Sequence, residues 1–151
     1  MAGIAKRVLA AVGAAVAAMA ANVVFAQLPT MELSVGIHLL RAEVAHTFET
    51  RAQGLMFRRS LGPNEGMFFL FPRTEVHCMW MKNTLIPLSV AFLDEKGKIV
   101  SISDMQPQTE TPHCAVAPAK FALEMTQGWF SARGIKAGAS ILGLDKAPAA
   151  R

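Results

Sequence analysis

The chain has 151 residues, 52% of them apolar and 17% charged, with a formal net charge of +4, two Cys and no Tyr. That length fits one domain plus attachments, and the apolar content excludes a disordered chain. At the start, Lys6 and Arg7 precede an uncharged run over residues 8–26 that holds nine alanines and closes in Val24-Phe25-Ala26. Residues 1–26 are therefore read as a cleavable signal peptide. The alternative is a retained membrane anchor, since 19 residues just reach the length of a span, but the run is Ala-rich and interrupted by Asn22. Cleavage puts the mature chain outside the cytoplasm, periplasmic or secreted, with no stable membrane insertion. Removing Lys6 and Arg7 from the fifteen basic residues leaves thirteen against eleven acidic ones, and Arg58-Arg59 is the only basic pair of note. Such a balance lacks the electrostatic footprint of a nucleic-acid binder.

Residues 27–30 form a tether. Leu33, Val35, Ile37 and Leu39 then alternate with Ser34, Gly36, His38 and Leu40, the period of one half-buried strand. Thr47 is a helix cap, and over residues 48–57 Phe48, Ala52, Leu55 and Met56 fall on one helical stripe. A turn cluster at 62–66 leads to the apolar run 67–71, too short for a helix and closed by Pro72, hence a buried strand. Residues 76–81 read as a further strand. Residues 88–93 and 99–103 flank Asp94-Glu95-Lys96-Gly97-Lys98, a hairpin in which Gly97 supplies positive φ. Residues 106–118 carry three prolines and no period, so they form a loop. A strand at 121–125, a short helical turn at 128–133 and a closing strand at 139–144 complete the series, and the tail 145–151 is expected to fray. Short strands with one or two short helices and hairpin-length links predict a single α+β, β-rich domain over 27–144, a small antiparallel barrel or rolled sheet.

Four segments carry a resemblance: Gly54-Leu55-Met56-Phe57-Arg58, Gly66-Met67-Phe68-Phe69-Leu70-Phe71, Trp80-Met81-Lys82-Asn83-Thr84-Leu85-Ile86-Pro87-Leu88 and Pro118-Ala119-Lys120-Phe121-Ala122-Leu123-Glu124. In order and spacing the chain resembles the family called domain of unknown function 192, from about residue 45 to 142. The resemblance implies a compact β-rich fold, frequent export in bacteria and no established activity. This chain departs from the commoner pattern in having His77 and Cys78 ahead of Trp80, where an aromatic residue is more usual, and a second cysteine, Cys114, in the long loop.

Two cysteines in an exported chain predict a Cys78–Cys114 disulfide. It would close 37 residues, counting both ends, for which chain entropy gives roughly 4 kcal/mol of stabilisation. The rival is a reactive thiol activated by His77 or His113. Neighbours on a strand point to opposite faces and there is no CxxC, so the disulfide is preferred.

Strand parity over 76–81 would put His77, Met79 and Met81 on one face, a thioether and imidazole set suited to Cu(I). Met is also an ordinary core filler, and these three positions spread over about 14 Å of backbone. No cofactor or metal is therefore assigned, and copper handling stands as an alternative.

Lys82, Asn83 and Thr84 follow an apolar strand and precede Pro87. A cation, an amide and a hydroxyl at a strand end suit a ligand such as a carboxylate, a sugar or a peptide terminus, and equally suit a plain turn. Glu124 has the parity opposite to Phe121, Leu123 and Met125, so it is expected to be solvated or to pair with Lys82. Arg58 is the other charged residue expected beside this corner. No nucleophile elbow, phosphate loop or metal-hydrolase signature is present. The reading is an exported module that binds a small molecule or a protein partner, with an enzyme of unassigned chemistry as a further alternative.

Overall fold

The computed structural model describes residues 27–151. The expected signal peptide lies outside the described residues. The chain is mostly β, with one seven-stranded sheet curled into a half-barrel and few short helices, as an α+β, β-rich class requires.

The N-terminal alternation is a hairpin and not one strand. Strand β1 (Thr30–Val35) and strand β2 (His38–Ala45) are joined by Gly36-Ile37, with Gly36 at φ 57°. Leu33 faces Leu40 and Met31 faces Ala42 across the pair, so buried positions pass from odd to even numbers at the turn. Ile37 and Leu39, expected to be inside, are 92% and 72% exposed. The period alone does not show a two-residue turn that carries it through.

Helix α1 (Phe48–Gln53) starts at Thr47, whose Oγ1 accepts the Thr50 amide while the Thr50 hydroxyl accepts the Thr47 amide. It ends at Gly54 (φ 49°), earlier than the expected stripe. Strand β3 (Glu65–Glu75) returns parallel to β2, with the intervening chain and α1 as the crossover. The sheet is thus not wholly antiparallel. Past Leu70 the register of β3 is irregular, where Pro72 has no amide to give.

Of the expected strand at 76–81 only β4 (Cys78–Met79) forms. The remaining hairpin, β5 (Leu88–Leu93) and β6 (Ile99–Met105), is as read, with Gly97 at φ 81°. Inside the long loop, β7 (His113–Cys114) pairs with β4. Strand β8 (Ala119–Thr126) and strand β9 (Ile141–Leu142) complete the set, and the sheet order is β6-β5-β8-β3-β2-β1-β9. A 3-10 turn at Ser131–Arg133 stands where a helical turn was expected.

The tail is docked where fraying was expected. Leu144–Lys146 is a 3-10 turn, the Arg151 amide donates to the His46 carbonyl at 2.7 Å, and Arg51 donates to the Arg151 carbonyl at 2.9 Å.

Both faces of the sheet are covered. Phe68 and Leu70 of β3, Ala91 and Leu93 of β5 and Leu123 and Met125 of β8 enter one apolar core. The alternate residues Met67, Phe69 and Phe71, Val90 and Phe92, and Ala122 enter a second. Among the described residues, no helix is long and apolar enough to cross a membrane.

Candidate functional site

Glu124 is the single acid of β8, at the centre of the sheet. Its register partners are Met67 on β3 and Val90 on β5, and the pleat points it the way Ala122 points, into the second core. The parity read from the sequence holds, but the expectation of solvent does not: only 3% of Glu124 is exposed, because α1 and the β4 segment cover that face. Among the described residues no group hydrogen-bonds its carboxyl, and burial alone pushes its pKa up to about 8.

This carboxyl borders a groove of about 270 Å³. Phe48, Ala52, Leu55 and Met56 of the helical stripe form one wall, but only Leu55 enters the second core. Phe69 and Phe71 rise from β3 beside Glu124, and Cys78, Met79 and Trp80 form the opposite wall. Gly54 ends the helix at φ 49°, a backbone that favours glycine, and a Cβ there would only reach ordinary contact with the Phe69 ring. Phe48 and Trp80 remain 73% and 53% exposed at the mouth.

Arg51 is the other charged side chain of the groove. Its Nη1 donates to the carbonyls of His46 (2.8 Å) and Leu70 (3.0 Å), and its Nη2 to that of Arg151. Partial burial lowers its pKa, an effect that neighbouring Glu49 opposes.

The structure divides the expected site. Thr84, 4% exposed, joins Glu124 in the groove, and its hydroxyl lies 3.4 Å from the Lys82 carbonyl. Lys82 pairs with Glu110 at 3.7 Å and lies 5.9 Å from the centre of the Trp80 ring, so Glu124 is not its partner. Asn83 is part of the scaffold: its backbone is left-handed and its carbonyl accepts the Phe57 amide. Arg58 binds Glu43 at 2.6 Å in a separate cleft of about 540 Å³ that also holds Arg41 and Arg59.

His77, Met79 and Met81 all lie against the second core, and no contact among the three side chains is seen among the described residues. Met81 is fully buried and Met79 packs against the second core, while the His77 ring stacks on Phe71 with centres 3.7 Å apart. A strand of two residues cannot impose parity over six. Cys78 and Cys114 are disulfide-bonded register partners of β4 and β7, which leaves no free cysteine among the described residues.

Sequence reasoning named Glu124 but missed its setting. The available signal was a lone acid inside the apolar run of β8, between Leu123 and Met125.

The DUF192 family model, described as an uncharacterized ACR, matches residues 31–143. A crystal structure of a protein from Sinorhizobium meliloti 1021, provisionally described as a transcription regulator, is 30% identical with a TM-score of 0.76 and covers 78% of this chain and 96% of its own. A protein of unknown function from Novosphingobium aromaticivorans DSM 12444 is 36% identical with a TM-score of 0.73, covering 76% and 86%. No curated protein matches.

Proposed function

The chain belongs to the DUF192 family, and from that premise we propose that it is a small exported module whose ligand site is the groove over Glu124 and Thr84. The observation that carries the reading is the Glu124 carboxyl, buried in the middle of a sheet, bordering a cavity and unpartnered among the described residues. The carboxyl keeps only a sliver of solvent contact, so it has lost most of its hydration, and a ligand that hydrogen-bonds it from the groove replaces what burial removed. Export is supported by the disulfide, a bond that persists in oxidising compartments.

An acid whose pKa lies near neutrality also suits proton transfer, which keeps an enzyme as the second reading. Binding ranks first because the groove shows no activated nucleophile among the described residues: Cys78 is oxidised, and the Thr84 hydroxyl's one hydrogen bond there is to a backbone carbonyl. The regulator description of the Sinorhizobium relative suggests a nucleic-acid partner. Against it, Arg58 is neutralised by Glu43 and Arg51 is committed to three backbone carbonyls.

Amide chemical-shift mapping against a panel of small aromatic and aliphatic fragments tests the reading. Shifts should gather at Leu55, Phe69, Trp80 and Thr84. Binding confined to the Arg41, Arg58 and Arg59 cleft would refute it.

A further inference from the structure

We propose that the groove takes a cationic amine with an apolar body, the ammonium seated on the Glu124 carboxylate and the body among the aromatic rings. The inference rests on the groove reading and names its ligand class. Phe48, Phe69, Phe71 and Trp80 all line the cavity. Aromatic faces carry negative quadrupole charge and attract a desolvated cation; one face of Phe71 is taken by His77, and Lys82 already lies over Trp80. An anionic ligand would meet like charge as soon as Glu124 ionised, whereas an ammonium supplies three donors to a carboxyl that receives none from the described residues.

Two cations stand around that seat, Arg51 in the groove lining and Lys82 5.9 Å from the Trp80 ring centre, and each is engaged by other groups. On α1, Arg51 is held by the His46, Leu70 and Arg151 carbonyls and is offset by Glu49. On the segment after β4, Lys82 is held by Glu110. The register neighbours of Glu124 on β3 and β5 are Met67 and Val90, both uncharged.

The balance is simple. Burial keeps free Glu124 protonated near neutral pH. Docking of the ammonium sends that proton to solvent and leaves an ion pair in the groove, with no covalent bond made or broken.

Calorimetry on the oxidised protein with phenethylamine and its neutral counterpart 2-phenylethanol tests this. Phenethylamine should bind at least about tenfold more tightly at pH 7, and its affinity should rise about tenfold from pH 6 to pH 7, as one-proton linkage requires. Buffer-dependent heats should report one proton released. Glu124→Gln should lose the preference and the pH slope while still binding the alcohol. If that variant does not fold, Glu124→Asp must retain the proton release. Equal affinity for amine and alcohol, or a pH slope unchanged in Glu124→Gln, overturns the inference and leaves the groove reading standing. Failure of both compounds, with no fragment shifting the groove amides, overturns both.

Discussion

The Phe57 amide donates to the Asn83 carbonyl at 2.9 Å, and both residues hold left-handed backbone, at φ 62° and 55°. This bond ties the turn after α1 to the turn after β4, the two segments that flank the groove. Left-handed geometry costs an ordinary residue about 1–2 kcal/mol, and least at Gly or Asn. Asn83→Gly should therefore be nearly neutral and Asn83→Val should destabilise by about 1–3 kcal/mol in denaturant unfolding. Equal stability of the two variants would show that the turn carries no such constraint.

Lys82 behaves as a surface charge, half-exposed and 3.7 Å from Glu110. Lys82→Met keeps the stem and removes the ion pair, so the change in unfolding free energy should stay within about 1 kcal/mol. A loss of several kcal/mol would make Lys82 a structural ion-pair partner.

Much of this fold is legible in the sequence because short-range rules decide it. The Thr47 cap, the hairpin around Gly97 and the buried strand before Pro72 depend on residues a few positions apart. The hairpin at Gly36 hid because a two-residue turn continues the alternation, and the parallel return of β3 depends on which edge the chain revisits. The candidate site was half legible. Parity gave the direction of the Glu124 side chain, but only the tertiary fold shows that α1 and β4 cover that face, which turns a presumed surface acid into a buried one. Conversely, Arg58 and Lys82 were grouped by nearness to a motif, and each has found its own carboxylate.

The disulfide joins β4 to the long loop, and Cys78 stands in the groove wall. Thiol titration of the unreduced, denatured protein should find no free thiol. Paired Cys78→Ser and Cys114→Ser substitutions should cost about 2–5 kcal/mol and weaken fragment binding in the groove. Two free thiols, or binding unaffected by the loss of the bond, would contradict this.

Stability should depend on pH through Glu124. Its folded pKa of about 8 lies above the ordinary 4.5, so between those values the folded chain holds a proton that the unfolded chain has lost. Glu124 therefore favours the folded state most at low pH. That contribution falls by about 1.4 kcal/mol per pH unit as pH rises through the window and levels off above about 8. The stability of wild type relative to Glu124→Gln should decline across the window. A difference independent of pH would mean that the carboxyl titrates normally.

Glu124 is a desolvated carboxyl bordering the groove, and the amine site stands or falls with it. The direct measurement is a carbon-13 NMR titration of its side-chain carboxyl in the free protein and with phenethylamine added. The midpoint should lie near 8 when free and fall when the amine binds. A free midpoint near the ordinary 4.5, unmoved by the amine, would contradict the account.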